Sequence, residues 1–195
     1  MGVTKQNIKA IIFDCFGVLA TDGWLPFKNK YFSGKEDLFR EATELNHRVD
    51  SGLDNYDFFL NKISELADVN VSETKQAIEG NYPNEELFNY IKKDLKSKYK
   101  LGILSNSSAN WIKEIFTPEQ VHLFDAIALS FEIGETKPAS ITYKTITDRL
   151  GVKAEECIFI DDQERHCAGA KEAGMNAIQY VSVEQLKKDL GAVLN

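Results

Sequence analysis

Residues 8–14, IKAIIFD, decide how the rest of the chain reads. A short apolar run closed by an acid is the pattern of a strand covered on both faces, with the carboxylate of Asp14 at its C-terminal end. Similar runs recur as KLGIL (100–104), AIAL (126–129), CIFI (157–160) and NAIQY (176–180). Amphipathic stretches at 109–116, 140–150, 164–173 and 183–190 alternate with them. Gly151 and Gly174 close the second and third of these, where a helix commonly ends on a residue with positive φ. Strand and helix in alternation imply right-handed crossovers and an α/β fold, a mostly parallel sheet between two helical layers.

The alternation is interrupted between about residues 21 and 95, where only helical spacing is found. Leu38, Phe39, Ala42, Leu45 and Val49 mark a helix over 35–51, and Phe59, Leu60, Ile63 and Leu66 mark another over 56–66. A third is expected from Ser72 to Ile78, and 84–99 returns the chain to the sheet. The simplest organisation is a core made of 1–20 and 96–195, with 21–95 inserted as a helical cap after the first strand.

Composition sets outer bounds. Hydrophobic residues make up 43% and charged residues 27% of the 195-residue chain, ordinary values for a globular protein. No apolar run approaches the ~20 residues of a membrane-spanning helix. Residues 1–7 carry no signal-peptide pattern, which points to the cytosol. A net charge of −7 argues against nucleic acid as a partner. The lysines of 92–100 read as a solvated helix face. Cys15, Cys157 and Cys167 lack metal-ligand spacing and are expected to be reduced and buried. His47, His122 and His166 form no ligand pattern and are read as structural or solvated.

In open α/β sheets ligands bind beyond the carboxyl ends of the strands. Those ends present Asp14, then Ser105 and Asn106, then Asp161 and Asp162, with Lys137 one short loop after the 126–129 run. Pro138 discourages helix at Lys137. A carboxylate nucleophile, hydroxyl and backbone N–H donors, a cation and two further acids suit attack on a charged electrophile. Two adjacent carboxylates after a buried strand also call for a cation or donors to offset their repulsion.

Four segments, FDCFGVL (13–19), LGILSNS (101–107), Lys137-Pro138 and the FIDD-x4-C-x-GA-x2-AG run (159–174), resemble the four motifs of the haloacid dehalogenase superfamily, in order and over nearly the whole chain. The resemblance implies a Rossmann-like core with a small helical cap and a Mg²⁺-dependent phosphatase acting on a small phosphorylated metabolite such as a sugar phosphate. It implies Asp14 as the nucleophile that carries the phosphoryl group. It further implies Ser105 and Asn106 on the phosphoryl oxygens and Lys137 balancing charge. Mg²⁺ would be held by Asp14, Asp162 and the backbone carbonyl of Phe16, with Asp161 on a metal-bound water.

One position departs from the pattern. The phosphatases of the superfamily usually carry a second Asp two residues after the nucleophile as general acid and base, and here Phe16 stands there. Dehalogenases of the superfamily carry a bulky aromatic at that place but generally lack the paired acids. A hydrolytic 2-haloacid dehalogenase and a catalytically weak ligand-binding or regulatory protein are therefore the alternatives. Asp22 is a candidate for the missing proton donor, or a loop residue before Gly23. Trp24, Phe27, Tyr31 and Phe32 either line a pocket or pack cap on core. Substrate identity and oligomeric state are not legible.

Overall fold

Strand β1 (Ala10–Phe13) buries Ile11 and Phe13 on one face and Ala10 and Ile12 on the other, as the IKAIIFD run requires. The computed structural model describes residues 7–194. The first six residues of the expected core segment 1–20, and with them most of the leader-free reading of 1–7, lie outside the described residues. After β1 come helices α1 (Trp24–Phe32), α2 (Glu36–Asp50), α3 (Tyr56–Ala67), α4 (Val71–Glu79) and α5 (Glu85–Tyr90). Strand β2 (Lys100–Ser105) leads through short helices α6 (Ile112–Ile115) and α7 (Pro118–Val121) to β3 (Ala126–Leu129). Then follow α8 (Ser130–Ile133), α9 (Ser140–Leu150), β4 (Cys157–Asp161), α10 (Glu164–Glu172), β5 (Asn176–Gln179) and α11 (Val183–Leu194).

The five strands form one parallel sheet in the order β3-β2-β1-β4-β5. One face packs Ala10, Ile12, Leu104 and Phe159 under Tyr143, Ile146 and Leu150 of α9 and Ala170 of α10. The other packs Ile11, Phe13, Ile103 and Ile160 under Leu186 and Leu190 of α11 and Leu87, Phe88, Ile91 and Leu95. The sheet therefore lies between two helical layers, the expected α/β architecture.

The inserted helices close on their own apolar cluster, Phe27, Phe32, Ala42, Val49, Phe59, Leu60, Ile63 and Ile78. Residues 85–95, counted in the sequence with the insertion, bury their apolar side chains on the sheet instead. α4 starts earlier than the Ser72 spacing indicated, because the Asn70 side chain accepts the N–H of Glu73 at 2.9 Å and caps the helix. Cys15, Cys157 and Cys167 are free and buried. No helix of the described residues is long and apolar enough to cross a membrane.

Candidate active site

Strand register brings the acids together. Phe13 pairs with Ile103 of β2 and Ile160 of β4, so Asp14 and Asp161 stand level at the carboxyl edge, with Ser105 one step beyond. The backbone N–H of Asp14 donates to the Ile160 carbonyl at 2.8 Å, extending the ladder to the nucleophile position. Asp14 is 4% exposed, and its Oδ1 accepts the N–H of Cys15 at 2.7 Å. Lys137 arrives from the loop after α8. Its Nζ lies 2.7 Å from Asp14 Oδ1 and 2.6 Å from Asp161 Oδ2, with all three side chains almost wholly out of solvent.

Asn106 holds that loop in place. Its Oδ1 accepts the Lys137 N–H at 2.8 Å, and its Nδ2 donates to the Lys137 carbonyl at 3.3 Å. Ser105 is 1% exposed and donates from Oγ to the Asn106 carbonyl. The cavity wall at this strand end is built from Asn106, Ser107 and Ser108 rather than from Ser105. Gly169 of α10 lets the Lys-Pro loop approach, since a Cβ there would lie 2.6 Å from Pro138 Cβ.

Asp161 is fully committed. Beyond Lys137 it accepts the N–H of Gln163 at 2.8 Å and faces His166 Nδ1 at 3.0 Å, both through Oδ1. Burial would raise the Asp161 carboxyl, but the Lys137 charge and the hydrogen bonds from His166 and Lys137 outweigh it and hold it below the usual carboxylate range. Burial likewise works against the Lys137 ammonium, yet Asp14 and Asp161 together hold it above its ordinary value. Burial pushes the Asp14 carboxyl up, the Asp161 charge adds to this, and Lys137 opposes both.

Asp14, Asp161 and His166 place ligand atoms within 4.8 Å of one another. Lys137 already supplies the cation between the two acids, so this trio is the less suitable metal site. Asp162 offers the better one. Its Oδ1 is buried with no hydrogen-bond partner among the described residues. Burial and the Asp161 charge raise its carboxyl to about 6. Three acids against one ammonium leave a negative excess, and an orphaned carboxylate oxygen on an acid whose charge acts on Asp14 is a donor suited to a hard divalent ion. Gly17, at φ +84°, makes room for it: a Cβ there would lie 2.7 Å from Asp162 Oδ2.

Above the strand ends lies a cavity of about 550 Å³ whose lining includes Asp14, Phe16 and Lys137. The inserted helices form its other wall through Asp22, Trp24, Asn46, His47, Asp50 and Tyr56. Asp22 accepts the N–H groups of Trp24 (2.8 Å) and Leu25 (3.3 Å) and so starts α1 while lining the cavity. The aromatics divide: Phe27 and Phe32 are buried in the helical cluster, Tyr31 packs against Phe27, and Trp24 both stacks on Phe27 and reaches the cavity. Their packing is within the insertion.

Three residues gain a place the sequence did not indicate. His166 is 2% exposed, bonds Asp161 through Nδ1, and leaves Nε2 without a partner among the described residues. His47 bridges the insertion to the core, its Nδ1 3.0 Å from Thr136 Oγ1. Asp50 is 9% exposed at the end of α2. Only the FIDD-x3-H spacing could have flagged His166, which sits in the first turn of α10, five residues after the strand-end Asp161. His122 bonds only the Pro118 carbonyl within α7, the structural part expected of it.

Comparison with known proteins agrees with this arrangement. Over 96% of its length the chain is 24% identical to a D-ribitol-5-phosphate phosphatase of Bacteroides thetaiotaomicron, covering 99% of that protein. It is 28% identical to a glyceraldehyde 3-phosphate phosphatase of Methanopyrus kandleri, over 74% of this chain and 66% of that one. A structure of a HAD-family enzyme from Bacteroides thetaiotaomicron, in complex with magnesium and inorganic phosphate, superposes with a TM-score of 0.70. It is 24% identical and covers 92% of this chain and 98% of its own, a likeness that speaks for the fold. The family profile of haloacid dehalogenase-like hydrolases matches residues 8–174, from the first strand to the glycine that ends α10, and the chain belongs to that family of hydrolases.

Proposed function

We propose that the chain is a Mg²⁺-dependent phosphatase of small phosphomonoesters, of polyol or sugar type, that carries the phosphoryl group on Asp14. The observation that carries this reading is the floor of the cavity. Asp14 is held by Lys137 at a strand end, and the charge of Asp162, one oxygen of which has no donor among the described residues, acts on it.

In this reading Asp14 Oδ attacks phosphorus and the ester oxygen departs; water then attacks the acyl phosphate and releases inorganic phosphate. Lys137, fixed between Asp14 and Asp161, offsets charge as two anions approach one another. Asp161 acts through Lys137, orienting it, and Asn106 holds the Lys137 backbone in register with Asp14. The loop 106–108, which lines the cavity where Ser105 does not, receives the phosphoryl oxygens. Asp14, Asp162 and the Phe16 carbonyl would hold Mg²⁺, which when bound neutralises charge on the phosphate and on the attacking carboxylate. A polyol or sugar leaving group is supported by the relatives' substrates and by a wall that mixes hydrogen-bonding Asp22, Asn46 and Asp50 with the rings of Trp24 and Tyr56.

The test is a panel of phosphomonoesters and 2-haloacids, each with Mg²⁺ and with EDTA. Phosphate release that requires Mg²⁺ and is lost below a few per cent in Asp14→Asn supports the reading. Metal-independent halide release would replace it with a dehalogenase.

A further inference from the structure

An alkoxide leaves phosphorus readily only if it takes up a proton, and residue 16, facing the cavity beside the nucleophile, is a phenylalanine with none to give. Most other ionisable groups around the floor are committed. Lys137 is fixed between two carboxylates. Burial keeps His166 below its ordinary value, so the neutral ring donates Nδ1–H to Asp161 and Nε2 presents a lone pair. Burial raises Asp22, opposed by the two backbone N–H groups that one of its oxygens accepts and that tie it to the start of α1.

Asp50 differs. It lines the same cavity, is 9% exposed, and has one side-chain bond, from Asn46 Nδ2 to Oδ2 at 2.9 Å. Its main chain is tied to the reaction centre. The Asp50 carbonyl accepts Ser130 Oγ at 2.6 Å, and that oxygen accepts the Ser107 N–H at 2.8 Å. Ser107 follows Asn106, which clasps Lys137, so the insertion's acid and the nucleophile's lysine are braced against one loop. The charged and titratable groups that face Asp50 are Asp22 beside α1, Lys137 of the core and Tyr56 of α3.

We propose that Asp50 is the proton donor to the leaving oxygen and, in the second half-reaction, the base that activates water. The assignment rests on the phosphatase reading above. As the Asp14–phosphorus bond forms and the phosphorus–ester oxygen bond breaks, the ester oxygen takes the Asp50 proton and leaves as an alcohol. The Asp50 carboxylate then removes a proton from water as its oxygen attacks phosphorus. The phosphorus–Asp14 bond breaks, phosphate leaves, and the Asp50 carboxyl is restored. Burial, with the Asp22 charge, raises Asp50 to about 7 against the opposing Asn46 bond and Lys137 charge, so the acid form persists to neutral pH.

The experiment compares ribitol 5-phosphate, an alkyl ester, with 4-nitrophenyl phosphate, which needs no acid, at saturating Mg²⁺. Asp50→Asn is expected to lower kcat/KM on the alkyl ester about 10²–10⁴-fold and to leave kcat/KM on the aryl ester within about tenfold, since kcat/KM stops at departure of the ester oxygen, before water attacks. Aryl turnover also reports that the variant is folded. In wild type, alkyl kcat/KM should fall above about pH 7 as Asp50 ionises, and the variant should lack that limb. Equal losses of kcat/KM on both esters, or an unchanged limb, would overturn the assignment and leave the phosphatase reading standing. A wild type that hydrolyses neither ester would remove both. A second measurement needs no variant: the dependence of wild-type rate on leaving-group pKa should be shallow at pH 6 and steep at pH 9, and equal slopes would overturn the proposal.

Discussion

Lys137→Met removes the one ammonium between Asp14 and Asp161 while keeping a long apolar stem in its place. In the wild type the three side chains are 1%, 6% and 0% exposed, so solvent screens the interaction little. Breaking a buried pair by deleting one partner typically costs about 3–5 kcal/mol, because the remaining charge is left uncompensated. For a chain of this size that corresponds to a fall in Tm of roughly 6–20 °C. The assay is urea or thermal unfolding in EDTA, so that metal does not substitute for the lysine. The pH dependence carries its own sign. Asp161 is depressed in the folded wild type, so it stabilises above the ordinary carboxylate value, and this is lost as pH falls through the depressed one. Lys137 is raised, so its contribution is complete below the ordinary lysine value and lost only as pH rises through the raised one. The variant's deficit should therefore be full at neutral pH and shrink as its unpaired acids protonate on acidification. A loss below about 1 kcal/mol at pH 7, or a deficit that grows with acid, would refute the picture of a desolvated charge triad.

Two further substitutions separate the paired acids and the glycine beneath them. Asp162→Ala should weaken Mg²⁺ binding in calorimetry more than Asp161→Ala, while Asp161→Ala should cost more stability in EDTA because it strips Lys137 of a partner; the reverse ranking would exchange their roles. Gly17→Ala should lose about 1–3 kcal/mol in unfolding and also bind Mg²⁺ less tightly, since the added methyl is strained at φ +84° and meets Asp162 Oδ2; unchanged Mg²⁺ affinity would place the metal elsewhere.

The sheet and its edge were readable because each parallel strand is a short apolar run whose last residue must lie at the same edge. That rule placed Asp14, Ser105, Asp161 and Asp162 before any geometry was known, and Pro138 marked Lys137 as loop. The insertion was less transparent. Helical spacing located α2 and α3, but spacing says nothing of how α2 docks, and the docking decides that Asp50 and His47 line the same cavity as the nucleophile. Those contacts run through Ser130 and Thr136, residues 80 and 89 positions away whose types are unremarkable in isolation. His166 was hidden differently: a lone histidine in an amphipathic helix carries no signal until the strand-end acid five residues before it is known to be buried. α1 was not delimited because its aromatics serve both a buried cluster and a cavity wall, which blurs a single apolar stripe.

The central place of β1 also bears on how a newly made chain reaches this state. Ala10 is among the first residues of the sheet to be synthesised, yet its partners are Lys100 on one side and Cys157 on the other. By the time residue 150 has emerged from the ribosome, the apolar cluster of the inserted helices, Phe27 to Ile78, is complete and can collapse locally. β1 then has one neighbour, and its other edge exposes unpaired backbone groups on a strand with four fully buried apolar side chains. Contacts so distant in sequence form late, and an unpaired apolar edge is a template for association with other chains. β4 can join β1 only after that, ahead of β5, which pairs on β4, and its arrival delivers Asp161 and Asp162 to the edge where Asp14 stands. A nascent chain of this design holds a folded helical insertion well before it holds a reaction centre.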